Sequence, residues 1–531
     1  MDETKQKKSL RSQSAWLMFA KVTGFVLSSL LPFLVVRFLT KDKVGVYRQT
    51  FQVIVNAVAI LPLGFSMSAY YFLNRETTRR KAAVFNILIF NFAVGGLACL
   101  GLYLFPNFLG TLFSSDEMTR LAPKIGVVIW LWIFSTFLEV VAIANQEART
   151  ATVFIILAQL TKTILMAGAV ILFASVESFV YAAMIQAALQ TVILLGYLNS
   201  RFPRFWREFD LQFFREQAYY ALPFGLVGLL WTLQTDIHNY FVGHRYSDAE
   251  YAIYAYGCFQ LPLFAILMES TAAVLIPRMS ELQLKDDKRE MIALTARAMQ
   301  KLSFFYFPAY AFLLITAQVF ITTLFTENFA ASVPIFIINL TLLPFDIWVV
   351  DPIVRAYKEF GKFLLIIRVF VLIGLIAALW FGVQHFDLRG MIAIVVVTSL
   401  IERFISTSVL ARKMNVKRHD WRLLKGIGKT ALVSAFAAVI TLFAFWQIKE
   451  FTPALGANFS QLFFSNPKPS IVSFVSGSLT LLFSLMVFAP IYLFGMNYLN
   501  LIEAEEKEFV GKSLNFVKKL VFPKTQYLNA K

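Results

Sequence analysis

Apolar residues recur along the chain in blocks of about twenty, separated by short polar stretches rich in Lys and Arg. A helix of that length crosses the hydrocarbon core of a bilayer, and only helices and closed barrels satisfy their backbone hydrogen bonds there. The pattern predicts an all-α polytopic membrane protein with about fourteen transmembrane helices. The predicted spans are 15–38, 51–73, 82–105, 125–145, 151–173, 178–199, 218–243, 251–275, 303–325, 333–355, 363–383, 390–410, 429–448 and 471–496.

The composition supports this interpretation. Of the 531 residues, 58% are hydrophobic and 15% are charged, whereas about a quarter of the residues of a soluble domain are charged. The net charge of +17 would indicate nucleic acid as the partner of a soluble protein. Here the cations lie in loops between apolar blocks, so we expect membrane lipids as partners and no nucleic acid. Cys99 and Cys258 both lie in apolar runs, which predicts neither a disulfide framework nor a metal site.

The distribution of cations predicts the orientation. Most of the 49 Lys and Arg residues fall in the N-terminal tail, the even-numbered loops and the C-terminal tail. Because cytoplasmic loops are enriched in Lys and Arg, both termini are predicted to be cytoplasmic, and the apolar run after the N-terminal tail is predicted to be a retained first span. All loops are short, which argues against a soluble catalytic domain.

Two stretches of the sequence resemble each other. "FLTKDKVGVYRQTFQVI" follows span one and "HRYSDAEYAIYAYGCFQLP" follows span seven; Tyr47 aligns with Tyr254, and Phe51 aligns with Phe259. Six spans separate the two, so both begin on the same side of the membrane, as in transporters built from parallel repeats. The predicted divisions are 1–217 for spans one to six, 218–413 for spans seven to twelve, and 414–531 for spans thirteen and fourteen with a cytoplasmic tail.

Longer stretches show a family resemblance. "FVLSSLLPFLVVRFLTKDKVGVYRQTFQV", followed by "LPLGFSMSAYYFL", resembles the start of bacterial polysaccharide and O-antigen repeat-unit flippases of the multidrug/oligosaccharidyl-lipid/polysaccharide (MOP) exporter superfamily. "YALPFGLVGLLWTLQTDIHNYFVG" and "AIYAYGCFQLP" are similar to the seventh and eighth spans of that family, and the resemblance covers about residues 10–412.

The resemblance implies an architecture and a function. Two pseudo-symmetric six-helix bundles would surround a central cavity, with two extra C-terminal helices. By alternating access, the protein would move a polyprenyl-pyrophosphate-linked oligosaccharide from the inner to the outer leaflet of the bacterial cytoplasmic membrane. Other membrane proteins of polysaccharide assembly would then be partners.

Three cations, Lys21, Arg37 and Lys162, are predicted to bind the anionic head of this substrate. Lys21 lies about a third of the way into span one, and Lys162 lies near the middle of span five, where intramembrane charges commonly mark a transport pathway. The alternatives are a structural ion pair or, for Lys21, a side chain that reaches the interface. Arg37 and Arg48 fall on the predicted outer side; they either receive a pyrophosphate or bind lipid phosphate.

Two aspartates are predicted to couple transport to an ion, a proton or sodium. Asp236 lies in span seven on a helical face shared with Thr232, Asn239 and Tyr240; it either binds the ion or serves as the fixed partner of a buried lysine. Asp346 lies deep in span ten, between Pro344 and Pro352, and these two prolines are expected to kink the helix.

The other ionisable residues in the spans receive structural interpretations. His238 points away from Asp236 on an ideal helix and is predicted to lie at the interface. Asp351 and Arg355 are predicted to pair with each other because they lie four positions apart. Arg368, Glu402 and Arg403 lie near span ends and are predicted to extend towards the interface.

No P-loop, dinucleotide-binding turn or HExxH zinc helix is present in the sequence. We therefore predict a transporter without a cofactor, catalytic residues or a bound metal. One alternative is an ion-coupled multidrug or organic-cation exporter of the same superfamily, and another is a membrane enzyme acting on lipid-linked sugars. A third is a flippase for the lipid-linked peptidoglycan precursor.

Overall fold

A computed structural model describes residues 3–76 and 78–502 of the chain. Within these ranges the side chains of residues 3–15, 17, 18, 21, 25, 358–360 and 362 are not described. The predicted cytoplasmic tail beyond residue 502 lies outside the described residues. The regular secondary structure of the described chain is entirely helical, as the apolar pattern predicts.

Nineteen α-helices follow one another along the described part of the chain, joined by short turns and 3₁₀ segments. They are α1 Glu3–Phe38, α2 Lys41–Ile60, α3 Ala69–Arg75, α4 Arg80–Leu104, α5 Asn107–Phe113, α6 Asp116–Ser135, α7 Phe137–Ala144, α8 Ala148–Phe173, α9 Val176–Arg201, α10 Leu211–Arg245, α11 Asp248–Gly257, α12 Pro262–Leu284, α13 Lys288–Phe325, α14 Val333–Leu340, α15 Asp351–Ala356, α16 Lys358–His385, α17 Leu388–Lys413, α18 Lys425–Phe463 and α19 Pro469–Tyr498.

Eleven helical segments in the described chain are long and apolar enough to cross a bilayer. They correspond to the predicted spans three to six and eight to fourteen. The chain is therefore a multi-pass membrane protein.

The remaining three predicted spans fall on α1, on α2 with α3, and on α10. These segments are helical but more polar or shorter: the described apolar part of α1 is Val22–Phe38, and α10 carries Gln234, Asp236 and His238. The predicted total of fourteen therefore stays a prediction.

Several predicted spans are interrupted where the sequence disfavours a helix. The predicted span 51–73 ends as a helix at Ile60 and resumes at Ala69. Between them lie Pro62, which lacks a backbone N–H, and Gly64, whose φ of +73° favours glycine. The predicted break in span ten is confirmed, because α14 ends at Leu340 and α15 begins only at Asp351.

Side chains at the helix starts satisfy exposed backbone N–H groups. Ser247 and Glu250 form a capping box at the start of α11. The Asp210 carboxylate accepts a hydrogen bond from the backbone N–H of Phe213 at 2.9 Å, which fixes the start of α10.

The chain divides into two compact units. The first contains the described residues up to Gln260 together with Leu324–Asn339 and Lys362–Glu402. One core of this unit is built from α3, α4, α7, α8, α9 and α10, around fully buried side chains such as Ile87, Phe137 and Phe213. The division into six-helix halves, 1–217 and 218–413, stays a prediction.

Close helix packing in this first unit depends on glycines. A methyl group on Gly45 of α2 would lie 1.9 Å from the Asp248 carbonyl oxygen of α11, so the two helices touch backbone to backbone. Tyr47 and Tyr254, which align in the sequence, are each the seventh residue of these two helices. Gly225 of α10 is similarly close to the turn before α3, since a methyl group added at Gly225 would lie 2.2 Å from the Leu63 carbonyl.

The second unit contains Leu261–Thr323, Leu340–Gly361 and the described residues from Arg403 onward. A core of α13, α18 and α19 includes Phe304, Ala437 and Phe488. The Tyr492 hydroxyl donates to the Phe304 carbonyl at 2.8 Å, which gives this buried polar group its partner.

Candidate substrate and ion sites

A polar cluster joins α2 and α10 inside the first unit. The Asp236 carboxylate lies near the side-chain amides of Gln52 and Asn56, both on α2. The Asn56 amide also donates to the Tyr240 hydroxyl at 3.1 Å. Asp236 and Tyr240 therefore share the polar helical face that the sequence predicts, and that face points towards α2.

Arg48 supplies the positive charge nearest to this cluster. It acts electrostatically on Asp236, yet no ion pair within 4 Å involves Arg48 in the described chain. Its guanidinium lies 5.4 Å from the centre of the Tyr256 ring, in the range of a cation–π contact. Arg48 thus retains hydrogen-bond donors that no carboxylate occupies. We call Arg48, Gln52, Asn56, Asp236 and Tyr240 the α2–α10 cluster.

Lys162 lies against an aromatic ring in the same unit. Its ammonium nitrogen is 4.6 Å from the centre of the Trp132 ring, and no carboxylate pairs with it among the described side chains. The Trp132 indole N–H donates to Gln186 at 3.0 Å, which fixes the ring. The predicted alternative of a structural ion pair with Asp236 is therefore not formed.

Helix α2 contacts the surroundings of both charges. The Phe51 ring lies 6.2 Å from the Trp132 ring, against which Lys162 lies, while the next residue, Gln52, lies near Asp236. Adjacent residues on a helix point about 100° apart. Lys162 and Asp236 therefore lie beside different faces of one helix.

Helix α1 comes close to α8 near Lys162. A methyl group on Gly24 would lie 3.1 Å from the Gln159 side chain, as expected for a small residue at a helix contact. The side-chain oxygen of Gln159 is buried and has no hydrogen-bond partner among the described side chains. The side chain of Lys21, the other predicted intramembrane lysine, lies outside the described residues.

Arg37 is held by backbone carbonyls. It donates to Phe33 at 2.8 Å and to Leu324 at 3.0 Å, and its guanidinium lies 5.9 Å from the Phe33 ring. Two of its donors thus stabilise helix ends in the first unit. Its predicted role in substrate binding stays a prediction.

A second charged group lies on the opposite side of α10 from the α2–α10 cluster. Arg368 of α16 pairs with Glu402 of α17 at 3.5 Å, and Gln234 of α10 donates to the same carboxylate. The Arg368 guanidinium also lies 4.9 Å from the Trp231 ring. Arg368 and Glu402 therefore pair with each other, a contact that the sequence does not predict, while their position near the interface stays a prediction.

In the second unit, Asp346 is paired. Its carboxylate accepts a hydrogen bond from Arg403, whose guanidinium also donates to the Phe345 carbonyl at 2.9 Å. The interface prediction for Arg403 stays a prediction, and the predicted ion-coupling role of Asp346 would require this pair to open. The predicted Asp351–Arg355 pair is confirmed at 2.8 Å.

His238 is a residue that the sequence interpretation placed wrongly. It is buried, with 6% of its surface exposed, and its Nδ1 lies 2.8 Å from the Tyr254 hydroxyl of α11. The contact joins α10 to α11, so His238 is a packing residue and not an interfacial one. No group of three His, Cys, Asp or Glu side chains in the described chain is arranged to hold a metal ion.

The sequence matches the model of a family described as polysaccharide biosynthesis protein over residues 59–334. No curated protein matches the chain. The fold is similar to that of the lipid II flippase MurJ in an inward closed conformation, with a TM-score of 0.68, 14% identity, and coverage of 92% of this chain and 99% of that one.

Two further structures share the fold. An inward-facing multidrug resistance MATE family transporter of the MOP superfamily has a TM-score of 0.60 and 13% identity, with coverage of 73% of this chain and 94% of that one. A MOP superfamily transporter from Pyrococcus furiosus has a TM-score of 0.55 and 15% identity, with coverage of 77% and 96%. At these identities the likeness shows a shared fold.

Proposed function

This chain belongs to the polysaccharide biosynthesis protein family, and we propose that it is a flippase for a polyprenyl-pyrophosphate-linked oligosaccharide. The protein moves this repeat unit of a surface polysaccharide from the inner to the outer leaflet of the bacterial cytoplasmic membrane, by alternating access. The observation that carries the proposal is that Lys162, in predicted span five, and Arg48, on the predicted outer side just before span two, have no carboxylate partner among the described side chains. An unpaired charge in a membrane is costly and commonly belongs to a transport pathway.

The chemistry of these cations suits a pyrophosphate. The planar guanidinium of Arg48 binds two phosphate oxygens at once, whereas the ammonium of Lys162 acts as a point charge. Both rest on aromatic rings, which stabilise a cation without neutralising it. Lys21 and Arg37 complete the proposed head-group site, as the sequence predicts.

Asp236 is the proposed coupling site, with a proton or sodium as the ion. Its carboxylate lies near the amides of Gln52 and Asn56 and forms no ion pair in the described chain, so its charge remains available to a cation. It lies in the same cluster as Arg48, and ion and head group would therefore influence each other through α2. Asp346 is the second candidate, provided that Arg403 releases it.

The coverage of the structural comparisons favours a lipid-linked substrate over a drug. The lipid flippase structure matches 92% of this chain, but the multidrug transporter structure matches 73%. Part of this chain thus has a counterpart in the lipid flippase structure but not in the multidrug transporter structure. An organic-cation exporter is also expected to have an anionic cavity. Arg48 and Lys162, which have no carboxylate partner in the described chain, would instead repel a cationic substrate.

The experiment that tests the proposal is lipid analysis of cells depleted of this protein. We expect a complete polyprenyl-pyrophosphate-linked repeat unit to accumulate in the inner membrane while the surface polysaccharide is lost, and mass spectrometry of extracted lipids would identify the sugar. Accumulation of a peptidoglycan precursor with loss of viability would assign the third alternative instead. An unchanged lipid-linked pool with normal surface sugar would refute the proposal.

Two further measurements separate the remaining alternatives. Cells lacking the protein are expected to keep their resistance to cationic dyes; increased sensitivity would point to an organic-cation exporter. The purified protein is expected to turn over no labelled sugar donor, and product formation would indicate an enzyme. With both termini cytoplasmic, as the distribution of Lys and Arg suggests, tags at either end should be accessible only from the cytoplasm.

A further inference from the structure

An open cleft lies between α4, α6 and α9 in the first unit, apart from the charges described above. Its volume is about 480 Å³, within the ~300–1,000 Å³ usual for ligand sites. The walls include Leu100, Tyr103, Val127 and Met184, and they are almost wholly apolar. Leu100 and Tyr103 are more than half exposed. Such a cleft on a membrane protein suits a hydrocarbon chain.

A glycine keeps the cleft open beside a tryptophan. A methyl group on Gly96 of α4 would lie 3.7 Å from Nε1 of Trp130 on α6, an ordinary contact distance. The missing side chain therefore leaves room next to the indole. The neighbouring Gly95 packs directly on Trp130, since a methyl group added at Gly95 would lie 2.7 Å from the ring. This contact fixes the position of the ring.

The Trp130 indole N–H has no acceptor in the described chain. Buried donors in folded proteins almost always have a partner. The indole ring forms part of the cleft wall, but its nitrogen is itself buried. The cleft therefore offers a bound molecule the apolar part of the ring.

The rim of the cleft carries one positive and one negative charge. Lys124 of α6 lines the cleft and pairs with Glu177 of α9. Tyr181 lies beside both: its hydroxyl donates to Glu177 at 3.3 Å, and its ring centre is 5.2 Å from the Lys124 nitrogen. The charges are therefore side by side and partly exposed.

We propose that this cleft binds one molecule of phosphatidylethanolamine. Its acyl chain lies between Leu100 and Val127, its phosphate binds Lys124, and its ammonium group binds Glu177.

The paired charges select a zwitterionic head group with N–H donors. Phosphatidylglycerol offers a phosphate but no cation for Glu177. Phosphatidylcholine offers a cation that cannot donate a hydrogen bond, because its nitrogen is fully methylated. Charge-assisted hydrogen bonds contribute about 1.5–3 kcal/mol, so we expect phosphatidylethanolamine to bind about tenfold or more tightly than either.

Native mass spectrometry of the full-length protein, titrated separately with these three lipids, tests the proposal. We expect a saturable single site for phosphatidylethanolamine in the wild type. Gly96→Leu should fill the cleft and abolish that site. Gly101→Leu on the same helix is the matched control, because Gly101 has no heavy atom within 4 Å, and it should bind as the wild type does.

A head-group variant tests the selectivity by itself. Glu177→Gln removes the partner of the ammonium group, so the preference for phosphatidylethanolamine over phosphatidylcholine should disappear while some binding remains. Equal binding of all three lipids to the wild type would overturn the proposal, as would retention of the site in Gly96→Leu. Tighter binding of a polyprenyl phosphate at the same site would assign the cleft to the substrate's tail and likewise overturn it.

Discussion

The charged side chains on the two sides of α10 differ in whether they form an ion pair. Gln234 donates to Glu402, whose charge Arg368 neutralises at 3.5 Å. Two residues later, Asp236 lies beside the uncharged amides of Gln52 and Asn56, and Arg48 acts on it without forming an ion pair in the described chain. Residues two apart on a helix point about 200° apart. Helix α10 thus lies between the Arg368–Glu402 ion pair, which we call the closed pair, and the α2–α10 cluster. We call the latter the open cluster because its charges form no ion pair in the described chain.

This difference indicates which charges hold the structure and which can bind a ligand. A buried pair is expensive to break, because each charge is left without its partner. Arg368 and Glu402 therefore fix α16 and α17. In the α2–α10 cluster the amides hold Asp236 in place, so a cation or a phosphate can come and go without dismantling the fold.

The largest effect is expected from opening the closed pair. Arg368→Gln would leave Glu402 as an uncompensated charge, and we expect the free energy of unfolding to fall by about 3–5 kcal/mol. Chemical unfolding of the reconstituted protein measures this. Arg355→Gln is the matched control: the Arg355–Asp351 pair is more than half exposed, so its loss should cost at most about 1 kcal/mol.

A double variant shows whether the effect belongs to the pair. Adding Glu402→Gln to Arg368→Gln removes the stranded charge, so much of the lost stability should return. If the two losses simply add, Arg368 and Glu402 act independently, and the contrast between the two sides of α10 fails.

The next effect concerns the packing that positions the open cluster. Gly45→Leu would force α2 away from α11, because even a methyl group there would lie 1.9 Å from the Asp248 carbonyl oxygen. We expect a loss of about 1–3 kcal/mol, measured as a lower unfolding temperature. Gly168→Leu on α8 should have little effect, since no heavy atom lies within 4 Å of that position. Equal losses in both variants would exclude close packing as the cause.

Within the open cluster, stability and activity should separate. Asp236→Asn keeps the shape and an acceptor oxygen for Gln52 or Asn56, so unfolding should change by only about 1 kcal/mol. Transport driven by an ion gradient should nevertheless be lost. Parallel assays of unfolding and transport test this. Transport at the wild-type rate would remove Asp236 from the coupling mechanism.

The smallest effect concerns pH. Burial raises the pKa of the Asp248 carboxyl above its usual value, although hydrogen bonds from Gln49 and Ser115 oppose the rise. The folded state thus holds this proton more tightly than the unfolded state. Its contribution to stability falls as pH rises from the ordinary carboxyl pKa through the raised one. Asp248→Asn should flatten that slope; an unchanged pH profile of unfolding would contradict the assignment.

The sequence predicted the helices better than the partners of their charges. Blocks of apolar residues predict the eleven long apolar helices, because length and hydropathy are local properties. The polar face of Asp236 and the Asp351–Arg355 pair were also predicted correctly, since helical spacing alone determines them.

Partners distant in sequence could not be predicted in this way. Gln52 lies far from Asp236 along the chain, and Arg368 meets Glu402 only through the packing of α16 and α17. The sequence leaves two ligands possible for Arg48, a lipid phosphate or a pyrophosphate, because it does not show that Arg48 shares a cluster with Asp236. His238 was placed at the interface for the same reason: its partner Tyr254 lies on another helix.

The most direct test of the central claim is transport of a labelled substrate by the purified protein. Vesicles containing the full-length chain and a fluorescent polyprenyl-pyrophosphate-linked oligosaccharide would be assayed for transfer of the sugar between leaflets. We predict rapid transfer with the wild type and with the Arg355→Gln control, and transfer slowed at least about tenfold with Arg48→Gln or Lys162→Gln. Wild-type rates in both of these variants, or no transfer above protein-free vesicles with the wild type, would contradict the account.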